Sequence, residues 1–493
     1  MRVKKLINIT ASMMMAGAII SGCNRKVVAP APFGALPTQR QMDWQQMETY
    51  AFLHFTVNTF TGKEWGYGDE KEDVFNPTDF DADQIIGTLA KAGFKGAIIT
   101  AKHHDGFCLW PSAYTEHSVK NSSWKNGKGD VVQALADACK KYGIKFGVYL
   151  SPWDRNNASY GKEQYLQYYR NQLKELLTRY GNIFEVWFDG ANGGDGYYGG
   201  AREKRLIDRS NYYGWEETFQ LVRQLQPNAV MFSDAGPDVR WVGNEHGHAK
   251  DSCWATYTPL PEKGFTKPYA GTTQSSIGET GTMNGKYWMP AETDVSIRPG
   301  WFYHPAEDDK VKSLASLMDI YFHSVGNGTS LNLNIPPDRT GKIHQTDSLR
   351  LMEFKQYLDK AFANNLFKGS SIKASDTRAK KYQPSNLIDG NTETYWAAKD
   401  GQLNASIEFS LPETKTINAL VLQEYIQLGQ RVSGFHVECF IDGQWKPVAH
   451  GSTIGYKKIL RFAPCKTDKV RISFETLACP LLSEIAAYDI PEL

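Results

Sequence analysis

From residue 50 onward the chain alternates short apolar runs with stretches whose apolar residues recur every three or four positions. Residues 50–57 read as a strand. Residues 80–92 then place Ile85, Leu89 and Ala92 on one helical face. A buried strand is predicted at 96–101 and a helix at 130–142 through Val131, Leu135, Ala138 and Tyr142. The next pair is a strand at 145–150 and a helix at 163–180, stopped by Gly181. Strand 183–188, helix 215–225 and strand 230–233 follow, then helix 311–325, strand 330–335 and helix 349–362.

Strand, helix, strand at this spacing implies right-handed crossovers on a parallel sheet. No GxGxxG follows the first strand and no Walker sequence occurs, which removes weight from a nucleotide-binding sheet. Residues 41–367 therefore read as a (β/α)8 TIM-like barrel, with 190–214 as an insertion. Beyond residue 367 the helical period vanishes. Short strands at 406–409, 419–423, 434–440, 459–462 and 470–474, with an Asp442-Gly443 hairpin turn, predict a C-terminal antiparallel β-sandwich over 368–493.

Composition changes this picture in two ways. A net charge of +1 over 493 residues lacks the basic excess of a nucleic-acid binder, and the surplus of aromatics (13 Trp, 25 Tyr) suits stacking on sugar rings as well as core packing. The N-terminus reads as a leader. Arg2, Lys4 and Lys5 precede an apolar run at 9–20, and Ile20-Ser21-Gly22-Cys23 looks like a bacterial lipobox, with an ordinary signal peptide cleaved near Gly22 as the alternative. Residues 1–23 are then a lipoprotein signal peptide, Cys23 the lipidated residue and 24–40 a tether. The expectation is an exported, membrane-anchored lipoprotein in the periplasm or at the outer membrane or cell surface of a Gram-negative bacterium. The other six cysteines show no CxxC; Cys465 and Cys479 are the closest pair in sequence.

Barrel chemistry sits where strands end. The strand ends carry His54, Glu64-Trp65, His103-His104-Asp105, Tyr149, Trp153-Asp154, Trp187-Phe188-Asp189, then Arg240 to Glu245 after the fifth strand, and later Glu292, Arg298 and Trp301. A lone strand-end Asp is usually a turn former, but carboxylate, imidazole and Trp recurring together point to a site. A metal hydrolase using His103, His104, Asp105, His246 and His248 is one reading. Adjacent histidines on one strand, however, point to opposite faces. The other reading is a carboxylate pair acting on a sugar, one ionised and one protonated. Asp189 and Glu245 are the natural pair, as ends of neighbouring strands.

At these residues the sequence resembles the glycoside hydrolase family 29 α-L-fucosidases: His54, Glu64-Trp65, residues 101–107 (Ala-Lys-His-His-Asp-Gly-Phe), Trp187-Phe188-Asp189-Gly190, and Leu333-Asn334-Ile335-Pro336-Pro337-Asp338. The resemblance implies a retaining fucosidase needing no cofactor for catalysis and acting on fucosylated glycans. It makes Asp189 the nucleophile and assigns fucose binding to His54, Glu64, Trp65, His103, His104, Tyr149 and Trp187, to which Arg298 and Trp301 are added from their position. Gly243-Asn244-Glu245 is similar to the acid/base segment of the branch acting on α-1,3/1,4-linked fucose, which points to Glu245, with Glu292 in reserve. A catalytically silent glycan-binding lipoprotein is the alternative. The C-terminal region resembles the discoidin (F5/8 type C) fold shared with family 32 carbohydrate-binding modules, through residues 387–391 (Leu-Ile-Asp-Gly-Asn), Tyr395-Trp396 and Glu484-Ile485-Ala486. That likeness implies a structural calcium at Asp389, Asn391, Thr394 and Glu484, or else a polar turn without metal.

Overall fold

The computed structural model describes residues 28–493. The proposed leader and Cys23 lie outside these residues. Eight parallel strands close into a barrel: β1 Thr49–Leu53, β2 Gly96–Lys102, β3 Lys145–Leu150, β4 Ile183–Trp187, β5 Val230–Ser233, β6 Val239–Trp241, β7 Ala291–Ser296 and β8 Ser330–Asn334, with β8 returning to pair with β1. The outward residues of every barrel strand but β6 join the helices in the larger core. The inward residues, including Tyr50, Phe52, Tyr149, Trp187, Val230 and Phe232, fill the barrel itself.

The helices start and stop where local chemistry dictates. Asp81, Asp130 and Ser313 cap three of them, accepting from the backbone N–H three residues on, and Gly143 ends one in the left-handed conformation that a Cβ disfavours. Two departures from the expected repeat matter for function. The three-residue β6 leaves too short a run to show a period, so Arg240 and Trp241 belong to this sixth strand rather than following the fifth. Glu245 thus follows β6, and β5 stands between its strand and that of Asp189. Among the described residues no α-helix follows β5 or β6. Residues 242–290 instead make a long excursion containing a two-stranded ribbon, Thr256–Tyr257 with Tyr287–Trp288.

The C-terminal module is an antiparallel sandwich with its own apolar core. Several strands predicted separately are continuous: Asn404–Glu424 and Lys458–Thr476 run through both segments expected of each, changing register where they bend. Asp442 and Gly443 both take positive φ in the hairpin turn, as the Asp-Gly signal requires. Cys465 lies beside Cys439, with Sγ atoms 2.8 Å apart, rather than beside Cys479. Residues 28–36 are not a free tether. Phe33 N donates to Leu428 O at 3.0 Å and Arg431 Nη2 to Ala31 O at 2.6 Å.

The module is joined tightly to the barrel. Ala419, Ile459 and Ile490 pack into the barrel's outer core. Lys458 Nζ donates to Asn327 Oδ1 at 2.8 Å, and Gln430 Oε1 and Thr453 Oγ1 accept from the backbone of Ala255 and Cys253. We expect a chain truncated after residue 367 to lose most of its soluble yield, because that apolar surface would face water; expression and size-exclusion chromatography check this, and a soluble, monodisperse barrel would contradict it.

Candidate functional site

A cavity of about 330 Å³ opens at the C-terminal ends of the barrel strands and is lined by His54, Glu64, Trp65, His103, His104, Trp187, Asp189, Glu245 and Trp301. These are nine of the residues singled out from sequence. Phe52, Phe232, Asp234, Trp241 and Asp294 join them. Tyr149 reaches the site through its hydroxyl, which donates to Asp189 Oδ2 at 2.9 Å.

Asp189 follows directly on β4. Its Oδ1 accepts from the Ala191 N–H at 2.6 Å, and its Oδ2 lies 3.8 Å from His104 Nε2. Burial raises its carboxyl above the usual range, while the Ala191 N–H and Tyr149 hydroxyl work against that rise. Glu245 sits at the rim and accepts a longer bond from Trp301 Nε1 at 3.3 Å. Although its side chain reaches solvent, the surrounding protein removes enough hydration to raise its carboxyl, and the Asp189 charge pushes in the same direction.

The histidines are held neutral. Burial lowers His54 and His104 to about 3 and His103 well below its ordinary value. Their tautomers follow from their partners. Asn334 Nδ2 donates to Ser296 Oγ and Trp301 O, so its Oδ1 faces His54 Nδ1 at 2.9 Å as an acceptor, and that nitrogen carries the proton. Ser151 donates to Trp153 O, so it accepts from His104 Nδ1 at 2.7 Å. Each ring therefore keeps Nε2 as an acceptor, suited to a sugar hydroxyl. His103 and His104 do not point apart, because β2 ends at Lys102; in the turn beyond it their rings come within 4.1 Å. Asp105 fixes that turn by accepting from Phe107 N and Thr56 Oγ1, and burial raises its carboxyl to about 6.

Glu64 anchors the opposite wall. It accepts from Trp301 N at 2.7 Å and from His304 Nε2 at 2.6 Å. A Cβ at Gly300 would stand 2.5 Å from Glu64 Oε1, so this approach requires glycine.

Two expected residues lie elsewhere. Arg298 is fully buried outside the cavity lining and ties the end of β7 to Asp347 at 2.9 Å and Asp308 at 3.0 Å; proximity in sequence to Trp301 does not bring it to the cavity wall. Glu292 is also buried, beneath the cavity floor, where it accepts from Tyr50, from Trp187 Nε1 at 2.7 Å and from Asn332 Nδ2 at 3.1 Å. Those donors already occupy both of its oxygens. Asp234 and Asp294 carry signals in the sequence: Asp234 stands just past the end of β5 as Asp189 does past β4, and Asp294 shares the inward face of β7 with Glu292 at a spacing of two. Both carboxyls are raised by burial, Asp234 to about 6.

The alpha-L-fucosidase family model matches residues 33–361, and the F5/8 type C domain model matches 371–485. The chain belongs to the family 29 α-L-fucosidases. It is 42% identical to alpha-L-fucosidase 1 of Arabidopsis thaliana over 88% of its length and 83% of that protein's. Among solved structures, a glycoside hydrolase 29 family member from an unknown rumen bacterium is 44% identical with a TM-score of 0.82, covering 94% of this chain and 78% of that one. A Ruminococcus gnavus family 29 fucosidase in complex with fucose is 34% identical with a TM-score of 0.84, covering 94% and 97%. In this fucosidase the cavity described above opens where the barrel strands end.

Beneath the floor, Glu185 lies against Glu292, and burial plus that neighbour's charge holds the Glu185 carboxyl protonated far above its usual range. Its Oε2 accepts from Trp44 Nε1 at 2.9 Å, and its Oε1 has no other partner. Because the folded state keeps this proton after the unfolded chain has lost it, the contribution of this group to stability declines as pH rises above the ordinary carboxyl range, until the folded group itself titrates. Glu185→Gln supplies a permanent donor and removes that dependence. We expect its thermal midpoint to exceed the wild-type value more at pH 8 than at pH 5; an equal change at both would contradict a proton held on Glu185.

Proposed function

We propose that this fucosidase is an exo-acting, retaining enzyme for terminal α-1,3/1,4-linked L-fucose, with Asp189 as nucleophile and Glu245 as acid/base. The observation that carries the reading is the unequal support of two carboxyls on one blind cavity. Asp189 accepts a short backbone N–H bond and a phenol bond, which favour its anion; Glu245 has one long indole contact and feels the Asp189 charge, which favours its proton. Asp189 attacks the anomeric carbon as the bond to the aglycone breaks, and Glu245 gives its proton to the leaving oxygen. Glu245 then takes a proton from the water that attacks the same carbon and frees Asp189. The neutral His54 and His104 accept sugar hydroxyls. The apolar floor of Phe52, Trp187 and Phe232 suits the methyl group of a 6-deoxy sugar and closes the cavity behind a single residue. The position of Gly243-Asn244-Glu245 supports the branched-glycan linkage.

In the C-terminal module, Glu484 and Asp389 lie side by side, Glu484 Oε1 is buried without a hydrogen bond, and the Glu484 carboxyl is raised to about 7 by burial and the Asp389 charge. With the Asn391 and Thr394 oxygens alongside, this donor set fits calcium, which would neutralise the adjoining acids and brace the loop. The lipobox at residues 20–23 supports anchoring at a membrane through Cys23.

Asp189→Ala should abolish turnover, with azide partly restoring cleavage of an activated aryl fucoside. Glu245→Ala should impair substrates with poor leaving groups far more than those with good ones; equal loss on both removes its acid role. On a panel of Lewis-type trisaccharides, 2-fucosyllactose and core-fucosylated glycan, release from the Lewis substrates alone supports the linkage, and preference for 2-fucosyllactose overturns it. Calcium added after chelation should raise the thermal midpoint of the wild type but not of Asp389→Ala.

A further inference from the structure

Outside the sugar cavity, one cluster of metal-ligating side chains among the described residues has no part in the reaction above. His248 Nε2 lies 3.0 Å from Asp319 Oδ2, and His323 Nδ1 lies 3.2 Å from Asp319 Oδ1. The two imidazoles stand 4.7 Å apart, and one donor atom from each of the three residues falls within 4.8 Å of the others. Asp319 and His323 are one turn apart on the helix Leu314–His323, hence on one face. His248 comes from the excursion after β6, three residues beyond Glu245.

We propose that His248, Asp319 and His323 bind a zinc ion that clamps the Glu245 loop to the helix after β7. Two imidazoles and a carboxylate, with water in the fourth position, form a donor set that zinc accepts. At bond lengths of 2.0–2.1 Å, neighbouring ligand atoms in a tetrahedron are about 3.3 Å apart. Both N···O separations here are close to that, but they run to opposite oxygens of Asp319, so the carboxylate and the two rings must turn to bring one oxygen and both nitrogens around the ion. His323 Nδ1 also faces the Asp319 carbonyl at 2.9 Å; on binding, its proton passes to Nε2 and the Nδ1 lone pair turns to the metal, with no net change in charge. The basic residues of the same hollow are otherwise engaged. Lys250 pairs with Glu279 at 3.2 Å, Lys458 pairs with Asp251, and Arg461 lies over the Phe322 ring.

The clamp acts on a short span. Asn244 Nδ2 donates to His248 O at 2.8 Å, and Ala249 N donates to His323 O at 2.9 Å, so the loop is already seated on this helix just past His248. Residues 245–247 arch between those anchors, with Gly247 at positive φ. Fixing the His248 side chain removes freedom from the arch and steadies the carboxyl at its start. The effect on turnover rests on Glu245 being the acid/base; the binding of the ion does not.

The test uses the chelator-treated full chain. Calorimetric titration with zinc chloride should give one ion per chain. His248→Ala and His323→Ala should each weaken binding about tenfold or more, with thermal unfolding confirming that both variants fold. Cobalt(II) in place of zinc should give the strong visible absorption of a four-coordinate site in the wild type only. Zinc should raise kcat/KM on a poor-leaving-group fucoside for the wild type and leave His323→Ala unaffected. No stoichiometric zinc, or binding unchanged in both variants, overturns the site; zinc bound there with turnover unchanged overturns the clamp. The leaving-group behaviour of Glu245→Ala is read separately, so failure of the acid/base assignment is distinguishable from either.

Discussion

The barrel depends on hydrogen bonds from indole N–H groups to carboxylates that have left water. Trp44 donates to Glu185, Trp187 to Glu292, Trp241 to Asp294 and Trp110 to Glu175, and at the rim Trp301 reaches the solvent-facing Glu245. A buried carboxylate without a partner costs several kcal/mol, and an indole is an apolar plate carrying one donor. It can satisfy an acid without bringing a second charge inside. This reassigns much of the aromatic surplus. Rather than only stacking on sugar or filling space, several tryptophans let a barrel hold acids in its interior and at its mouth.

From that constraint the electrostatics of the site follow. Burial in the barrel mouth disfavours charge of either sign, so it drives the Asp189, Asp234, Asp294 and Glu245 carboxyls upward and His54, His103 and His104 downward. The fold thus supplies neutral imidazoles and a rim carboxyl shifted toward its protonated form without a dedicated charge partner for each. At Asp189 a backbone N–H and a phenol work against that rise. Lys102, the cation closest in sequence to the histidine pair, is diverted to Asp154 and Gln172 behind the loops.

Most of the fold was legible because strands of four to seven residues and helices of ten or more leave a period to read. β6 was not, since three residues carry none, and the missing helices after β5 and β6 could not be inferred from a repeat that simply lapses. In the site, residues in short spaced motifs, such as His103-His104 and Trp187 to Asp189, could be placed because a strand end aims them. Asn334 could not, because a polar residue within a strand has the same local signature whether it faces a cavity or satisfies a neighbour. Arg298 shows the converse: a charge near the right motif was spent on Asp308 and Asp347.

The excursion after β6 spans the distance between the two cores, carrying Glu245 at one end and resting on Gln430 and Thr453 of the C-terminal module further along. An accessory domain of this type is commonly regarded as cargo that recombination can exchange. Here exchange would replace the footing of a wall of the active site, so a foreign module would alter which aglycones are admitted even where it leaves the fucose contacts intact. Grafting the excursion between relatives should carry the desired selectivity only when its own module travels with it.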